Sequence, residues 1–322
     1  MARPALPTAD DIRHAAARIA AHAVVTPIMR NAALDEMLGA SVHFKCEHLQ
    51  RSGAFKFRGA CNAVWSLTDA EAARGVVTHS SGNHGNALAQ AAATRGISAH
   101  VVVPEGAVQA KVDAIKAAGA TLHRCAPTQA AREATTAEVQ AQTGATLVHP
   151  YTDVRVMAGQ GTAALELLQQ AGPLDALLTP VGGGGLASGC AVIAHAIAPD
   201  LPLFAAEPEG ADDAARSLAR GEHVTDVVPD TICDGLRATI GEPNIAALRT
   251  HHVDVLTVSD AEVIAAMKLL WQHLKQTVEP SSATILAAML RYRERFAGMR
   301  VGVVLSGGNV DLDALPWMTQ TA

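Results

Sequence analysis

Short β-branched runs alternate with alanine-rich stretches along much of the chain. The runs predicted as strands are GVVTHS (75–80), SAHVVVP (98–104), ATLHRC (120–125), ATLVHP (145–150), the end of LDALLTPVGGGG (174–185), LPLFAAEP (201–208) and MRVGVVLSGGN (299–309). Between them, stretches such as NALAQAAATRG (86–96), AVQAKVDAIKAAG (107–119), PTQAAREATTAEVQAQTG (127–144) and LASGCAVIAHAIA (186–198) are predicted as helices. This alternation predicts an α/β fold in which helices cover parallel sheets.

The same pattern predicts two domains. Residues 72–149 form a compact α/β unit, and we expect residues 1–71 and 150–322 to form a larger, discontinuous unit. Ligands of parallel sheets bind at the carboxyl ends of the strands, so the active site is expected there, between the two units.

Composition narrows the function. Of the 322 residues 49% are hydrophobic and 17% charged, as in an ordinary soluble protein, and the net charge of −6 does not favour nucleic acid or an anionic membrane. No run of about 18 apolar residues predicts a membrane span, and the N-terminus lacks the apolar core of a signal peptide. The five cysteines contain no C-x-x-C pair, which fits the reducing cytoplasm better than a disulfide or zinc framework.

Four consecutive glycines, Gly182, Gly183, Gly184 and Gly185, stand between a predicted strand and the helix that begins near Leu186. Glycine lets the backbone approach an anion closely, and a helix N-terminus favours negative charge. The run therefore indicates a phosphate site, although a tight strand-to-helix turn would explain part of it.

Two further strand ends carry small polar residues. In THSSGNHGNALA, the residues Ser80, Ser81, Asn83 and His84 precede a helix, which favours a nest for a carboxylate. The alternative is a plain N-cap made by Ser81 or Asn83. In LSGGN, Ser306 offers a hydroxyl group, although the segment could be only a turn.

A lone lysine, Lys56, lies between Phe55 and Phe57 in RSGAFKFRGA. An apolar environment disfavours the charged amine and makes it a nucleophile, whereas a lysine that extends to water would be unremarkable. An activated lysine, a phosphate site and a carboxylate nest together suit an amino acid bound to pyridoxal phosphate (PLP).

The motifs SGAFKFRGA, SSGNHGNALA, AGQGT, VGGGGL and SGGN occur in an order that resembles the PLP enzymes of the tryptophan-synthase-β fold type. The resemblance runs from about residue 15 to 310, and within this type the chain is similar to serine racemases and serine/threonine dehydratases. It implies two open, mostly parallel twisted sheets, a large cofactor-binding domain, a small mobile substrate domain, and a homodimer.

The resemblance also implies roles for residues. Lys56 would hold PLP as a Schiff base and act as the catalytic base, with Phe55 against the pyridine ring. Asn83 would bond the ring hydroxyl group, Ser306 would face the pyridine nitrogen, and Gly182 to Gly185 with Leu186 would hold the phosphate. Because serine is a neutral donor, it leaves the ring a weaker electron sink than aspartate would.

For the substrate, the resemblance implies a set of contacts. Ser81 lies where racemases carry a serine on the face opposite the lysine, so it is either a second catalytic base or only a carboxylate-binding hydroxyl group. Arg132 would pair with a second carboxylate, or else be a solvated helix residue. The remaining expected contacts are Ser80, Asn83, His84, Tyr151 and Gly235.

A divalent-cation site is implied in AAEPEGADDAA. Glu207, Asp213 and the carbonyl of Ala211 match the family's site, and such oxygen ligands suit Mg²⁺ or Ca²⁺. The alternative is a solvated acidic loop at the start of a helix.

The function that follows is a PLP-dependent ammonia-lyase (dehydratase) that converts a β-hydroxy-α-amino acid to a 2-oxo acid and ammonia. Serine or threonine, 3-hydroxyaspartate and phenylserine remain open as substrates. The alternative within the family is an amino-acid racemase with dehydratase activity as a side reaction. Outside it, a nicotinamide-dependent oxidoreductase lacks its G-x-G-x-x-G motif, and a non-catalytic binding protein would not need the full set of motifs.

Overall fold

The computed structural model describes residues 6–318 of the chain. The strands in this part are β1 (Ile28–Met29), β2 (Ser41–Cys46), β3 (Val76–His79), β4 (Ala99–Pro104), β5 (Thr121–Cys125), β6 (Thr146–Leu147), β7 (Ala176–Pro180), β8 (Leu203–Pro208), β9 (Asp254–Val258) and β10 (Arg300–Leu305). The α-helices are α1 (Ala9–Ile19), α2 (Ala32–Leu38), α3 (Lys56–Trp65), α4 (Asp69–Ala72), α5 (Asn83–Arg95), α6 (Gln109–Ala117), α7 (Gln129–Thr143), α8 (Val154–Ala171), α9 (Gly185–Ile197), α10 (Asp213–Arg220), α11 (Glu242–Thr250), α12 (Asp260–Leu269) and α13 (Pro280–Arg291).

The strands form two sheets. The larger sheet has the order β1-β2-β10-β7-β8-β9, and the smaller one has the order β5-β4-β3-β6. Every pairing is parallel except that of β1 with β2. The predicted architecture of two mostly parallel sheets with helices is therefore confirmed, and each run predicted as a strand contains one.

All four strands of the smaller sheet fall within the segment predicted as the small domain, residues 72–149. The hydrophobic core does not divide at the same place. Phe57, Ala60 and Val64 on α3 pack in one cluster with Leu88 and Val101 of the smaller unit. Helix α3 precedes the predicted boundary yet serves the smaller core, so the division at residue 72 stays a prediction.

The larger sheet is buried on both faces, as its β-branched and aliphatic runs predict. Successive residues alternate between two cores: Val303 and Leu305 lie in one cluster, and Val304 lies in the other. Helices α12 and α13 contribute to the first core, while α8 and α9 contribute to the second. These layers hold the strand ends in fixed positions.

Within residues 6–318 no helix is long and apolar enough to cross a membrane. All five cysteines are free and buried, which agrees with the expectation that they form no disulfide framework. Burial also raises the pKa of Cys46, Cys61, Cys190 and Cys233 to about 12, so these thiols are not nucleophiles at neutral pH.

Candidate active site

Loops at the carboxyl ends of strands carry most of the predicted site residues. The four glycines follow β7, Ser306 follows β10, and the segment Ser80 to His84 follows β3 in the other sheet. The position of the site at the strand ends is what the parallel topology dictates.

The loop before α3 is tied to the end of β10. Ser52 and Gly53 both have positive φ values, 59° and 71°, and this turn brings the N–H of Phe55 to the carbonyl of Ser306 at 2.9 Å. A Cβ on Gly53 would stand 2.3 Å from Oδ1 of Asn309, so only glycine fits. The side chain of Asn309 in turn donates to the carbonyl of Ser52 at 2.8 Å. Two distant motifs of the sequence therefore form one rigid loop pair.

Lys56 is the first residue of α3 and is half-buried. Its Nζ donates to the carbonyl of Pro150 at 2.9 Å and lies 5.2 Å from the centroid of the Phe55 ring. Burial lowers the pKa of Lys56 to about 8, and the carboxylate of Glu279 opposes that shift. The neutral fraction of the amine near neutral pH is therefore far larger than that of an ordinary lysine, as a nucleophile or base needs.

The glycine loop leaves buried donors unpaired. Gly182, Gly183 and Gly184 are buried, yet none of their N–H groups donates to a described residue. Gly185 and Leu186 open α9, whose cap, Gly184 at φ 90°, supplies no side-chain hydrogen bond. Buried N–H groups are almost always paired, so this loop fits an anion such as the phosphate of PLP and is more than a tight turn.

Neighbouring residues prevent any side chain on this loop. A Cβ on Gly183 would stand 2.5 Å from the ring of Tyr151, and one on Gly182 would stand 2.8 Å from the backbone of Leu236. Tyr151, predicted as a substrate contact, therefore packs directly on the predicted phosphate loop.

Ser306 is 2% exposed, and its hydroxyl group makes no hydrogen bond to a described residue. Its backbone is fixed by the bond from Phe55. A buried hydroxyl without a protein partner fits the predicted contact with a ring nitrogen.

The segment after β3 is not a plain N-cap. Helix α5 is capped by Gly82, without a side-chain hydrogen bond, so the alternative of a cap made by Ser81 or Asn83 is wrong. Ser80 and Ser81 are half-buried in the loop. The hydroxyl group of Ser81 makes no hydrogen bond within residues 6–318, which keeps it available to a ligand.

His84 and Asn83 have defined protein partners. His84 is buried and its Nε2 lies 3.2 Å from the carbonyl of Val148; burial holds its pKa well below the usual range, so it is neutral. The amide nitrogen of Asn83 donates to both carboxylate oxygens of Glu279 at 3.0 Å, and its oxygen accepts from Asn309 at 2.9 Å.

Sequence reasoning did not find Glu279. It caps α13 immediately before Pro280, is 3% exposed, and its N–H donates to the carbonyl of Gly307 at 3.0 Å. Burial raises its pKa, whereas Asn83 lowers it. A glutamate before a helix proline looks like an ordinary helix start, so the sequence offered no signal for this position.

Arg132 lies on α7 and is half-buried. Its Nε is buried without a hydrogen-bond partner, and no described carboxylate lies within ion-pair distance. Arg132 lies in the first turn of α7, which packs against β3, the strand that ends at His79. The pairing of Arg132 with a second carboxylate therefore stays a prediction.

Gly235 lies at the rim of the site. It is exposed, its N–H donates to the hydroxyl of Ser281 at 2.9 Å, and a Cβ there would stand 3.7 Å from a carboxylate oxygen of Glu279. The adjacent Asp234 forms an ion pair with Lys111 of α6, so this loop contacts the smaller sheet's helices.

The predicted cation ligands come together and are buried. Glu207 is 1% exposed, Asp213 is 3% exposed, and Ala211 is buried as well, so the alternative of a solvated acidic loop is wrong. Burial raises the pKa of both Glu207 and Asp213. The negative charges of Asp213 and Asp212 raise the pKa of Glu207 further. Oε2 of Glu207 has no partner, and no described residue donates to the carbonyl of Ala211.

Glu207 and Asp213 each accept a backbone N–H, from Ala215 and Ile240, at 2.7 Å. Within residues 6–318 no group of three or more histidine, cysteine, aspartate or glutamate side chains is placed to hold a metal. The site therefore rests on two carboxylates and a carbonyl oxygen, a donor set that suits a hard cation.

Beneath Lys56 lies a set of charged residues that the sequence did not reveal. We call Lys45, Glu47, Arg58 and Glu166 the buried ion network. Arg58 donates to both oxygens of Glu47 and both oxygens of Glu166, at 2.7 to 2.8 Å. Nζ of Lys45 donates to Glu166 at 2.6 Å, to the carbonyl of Thr26 at 2.7 Å and to Gln170 at 2.9 Å.

Comparisons with known proteins agree with this geometry. A family model described as pyridoxal-phosphate dependent enzyme matches residues 19–307. The chain is 49% identical over 312 residues to beta-hydroxyaspartate dehydratase of Paracoccus denitrificans, covering 97% of this chain and 99% of that protein. It is 41% identical to L-threo-3-hydroxyaspartate ammonia-lyase of Saccharomyces cerevisiae, covering 95% and 94%. The crystal structure of serine racemase from Dictyostelium discoideum is 46% identical, with a TM-score of 0.92, covering 96% of this chain and all of that one.

Proposed function

Since the chain belongs to the family of pyridoxal-phosphate-dependent enzymes, we propose that it is a lyase acting on 3-hydroxyaspartate. It removes the β-hydroxyl group of this β-hydroxy-α-amino acid and yields a 2-oxo acid and ammonia. The predicted class, a PLP-dependent dehydratase or ammonia-lyase, agrees with the names of two relatives, one a dehydratase and one an ammonia-lyase.

The observation that carries the choice of substrate is the unpaired guanidinium of Arg132. Its Nε–H is buried without an acceptor, which is unfavourable, and a substrate with a second carboxylate would supply both an acceptor and an opposite charge when it binds. Serine and threonine offer no such group, and the aromatic ring of phenylserine offers no charge. Both relatives named for hydroxyaspartate substrates are consistent with this preference.

The residues divide the chemistry among them. Bound PLP supplies an aldehyde for the substrate amine and a conjugated ring that stabilises negative charge at Cα. The glycine loop would hold its phosphate, and Ser306 would offer a neutral donor to the ring nitrogen. Phe55 would pack on the ring, and Asn83 would bond the ring hydroxyl group in exchange for one of its bonds to Glu279 or Asn309.

Lys56 performs the proton transfer. Its neutral amine takes the Cα proton of the substrate, and burial makes this neutral form more abundant than in an ordinary lysine. Ser80 and Ser81, with the N–H groups that open α5, would bind the α-carboxylate, with His84 behind them and Gly235 and Tyr151 at the rim. Loss of the β-hydroxyl group as water leaves an enamine, and hydrolysis of its imine tautomer releases ammonia.

A substrate panel tests the proposal. We expect 2-oxo acid release from one or more stereoisomers of 3-hydroxyaspartate with kcat/KM at least about tenfold above L-serine, L-threonine and phenylserine, since the ion pair with Arg132 is a charged contact. Arg132→Gln should remove most of that preference. Equal turnover of serine and hydroxyaspartate by the unmodified enzyme would overturn the choice of substrate, and no turnover of the panel would overturn the lyase.

The second candidate is amino-acid racemisation, favoured by the free hydroxyl group of Ser81. A serine on the face opposite Lys56 could return a proton to Cα from that side. Ser81→Ala should then abolish formation of the D-amino acid, followed by chiral chromatography, while elimination of the L-substrate continues. Equal loss of both activities would leave Ser81 as a carboxylate contact only.

We also propose that Glu207, Asp213 and the carbonyl of Ala211 bind Mg²⁺ or Ca²⁺ near the glycine loop. Two buried carboxylates, one with an unpartnered oxygen, repel each other when both are ionised, and a cation between them would remove that repulsion. A chelator should therefore lower the melting temperature, and Mg²⁺ or Ca²⁺ should restore it. The variant Glu207→Gln should lose this response; a chelator without effect on the unmodified protein would contradict the site.

The quaternary structure and the cellular location complete the proposal. We expect a homodimer, as the family resemblance implies, which light scattering after size-exclusion chromatography checks directly. Five free, buried cysteines support a reducing compartment such as the cytoplasm, which cell fractionation tests.

A further inference from the structure

His149 is held in one tautomer by its own loop. Its Nδ1 lies 3.1 Å from the N–H of Thr152, 3.4 Å from the N–H of Tyr151 and 2.7 Å from the Thr152 hydroxyl group. Backbone N–H groups can only donate, so Nδ1 is the acceptor and the ring proton sits on Nε2. Burial, with His79 and Lys56 nearby, lowers the pKa of His149 to about 4, so the ring is neutral at the pH of the cell.

The Nε2–H of His149 is therefore a fixed donor, and no described residue accepts from it. The half-buried ring meets His79 edge-on at 5.2 Å and Tyr151 edge-on at 4.6 Å. His79 is the last residue of β3 and directly precedes Ser80, while Pro150, next to His149, accepts from Lys56. The imidazole thus lies between the lysine and the segment expected to bind the α-carboxylate.

Arg132 belongs to the same group of side chains. It lies in the first turn of α7, which packs against β3, and β3 ends at His79, whose ring His149 contacts. The described residues provide no acceptor for the cation of Arg132 or for the donor of His149. These two donors lack a described acceptor, and a carboxylate of a ligand would offer one oxygen to each.

We propose that Nε2–H of His149 and the guanidinium of Arg132 together bind the distal carboxylate of the substrate, which makes His149 a specificity-determining residue. The inference rests on the proposed function, because that carboxylate is the second one of 3-hydroxyaspartate. Because Nδ1 of His149 is occupied by its own loop, the ring can only donate to the substrate. It therefore disfavours a substrate side chain that offers only a hydrogen-bond donor.

Two substitutions separate this role from a purely structural one. In His149→Asn the side-chain oxygen takes the place of Nδ1 and still accepts from Tyr151 and Thr152. The shorter side chain has no donor at the position of Nε2. In His149→Gln the amide nitrogen reaches the place of Nε2, while the acceptor for the loop is lost. Melting temperature and PLP absorbance report on whether each variant keeps its loop.

The experiment measures kcat/KM of the holoenzymes on 3-hydroxyaspartate and on L-serine, and inhibition by succinate and by propionate. We expect His149→Asn to lower the ratio of hydroxyaspartate to serine kcat/KM, and the preference for succinate, by about tenfold to a hundredfold, because a hydrogen bond to a charged group is lost. His149→Gln should retain more of both ratios despite a lower melting temperature.

Unchanged ratios in His149→Asn, or a larger loss in His149→Gln than in His149→Asn, would overturn the role and leave His149 as a loop contact. Inhibition by succinate and propionate tests the role of His149 independently of the proposed substrate. If the unmodified enzyme does not turn over hydroxyaspartate, the proposed substrate fails, while the preference for succinate over propionate still decides whether His149 and Arg132 bind a second carboxylate.

Discussion

Two lysines, Lys45 on β2 and Lys56 at the start of α3, differ in their hydrogen-bond partners, although burial lowers the pKa of both. Lys45, in the buried ion network, donates to three oxygen acceptors, one for each of its ammonium hydrogens. Lys56 has a single described acceptor, the carbonyl of Pro150, and its pKa is lowered to about 8. The first region satisfies every charge and fixes the helix, whereas the second leaves donors unpaired and ready for ligands.

The same contrast separates the two arginines. Arg58 uses its donors on Glu47 and Glu166, and these partners keep its pKa above the usual value despite burial. Arg132 has no carboxylate partner among the described residues. The charges of the buried ion network are paired with each other, whereas the buried Nε–H of Arg132 has no protein partner and could serve a ligand.

The largest expected effect comes from Lys56→Ala. Loss of both the base and the covalent attachment of PLP should lower turnover by at least about 10⁴-fold and remove the visible absorbance of the bound cofactor. The protein should remain as stable as the unmodified apo-protein, because no ion pair is broken. Lys45→Met is the matched control, and it should lower the stability of the protein rather than its turnover. If Lys56→Ala kept both its visible absorbance and its turnover, the role of Lys56 in binding PLP would be wrong.

Arg58→Met tests the scaffold side of the comparison. Removing Arg58 leaves Glu47 without a cation and Glu166 with Lys45 alone, so the free energy of unfolding should fall by about 3–5 kcal/mol. Urea unfolding measures it. The exposed pair of Arg13 with Asp10 supplies the control, since Arg13→Met should cost about 1 kcal/mol or less.

A loss of under 1 kcal/mol in Arg58→Met would show that the network does not hold α3 in place. Conversely, a PLP spectrum that changes more than the stability would make Arg58 part of the cofactor site. Either result would break the distinction between scaffold and site drawn above.

The sequence was sufficient for some parts of the molecule and silent on others. Strands of the smaller sheet and the glycine loop were predictable, because β-branched runs and consecutive glycines are local signals. Glu279 and Glu166 were not, since their partners, Asn83 and Arg58, lie far away in the chain. Unpaired donors are equally invisible in a sequence: Arg132 could be named, but only the fold shows that it lacks a carboxylate.

The site's anion-binding loop predicts a smaller effect. Gly184 has φ 90°, and a Cβ there would stand 2.6 Å from Cβ of Asn244. Gly184→Ala should therefore displace the loop and weaken PLP binding by roughly tenfold, about 1.4 kcal/mol, as measured by fluorescence titration of the apo-protein.

Gly221 provides the matched control for this substitution. Its φ is similarly positive, 73°, but nothing lies within 4 Å of a Cβ built on it. Gly221→Ala should cost the backbone strain of about 1–2 kcal/mol in stability without changing PLP affinity. Equal effects of the two substitutions on PLP affinity would mean that the loop geometry is not what holds the phosphate.

The smallest effect concerns the carboxylate that stands between the two regions. Glu279 is buried like the network, yet it raises the pKa of Lys56 against the effect of burial. Glu279→Gln removes a negative charge that stabilises the ammonium form, so the pKa of Lys56 should fall, by about one unit or less. Imine formation requires the neutral amine, and the rate at which apo-protein binds PLP should therefore reach its midpoint at a lower pH than the value near 8 of the unmodified protein.

The exposed Glu209, paired with Arg291, gives the control Glu209→Gln, which should leave the midpoint in place. A midpoint that moved to higher pH in Glu279→Gln would mean that loss of the bonds to Asn83, rather than loss of charge, governs the lysine, and Glu279 would then belong to the scaffold.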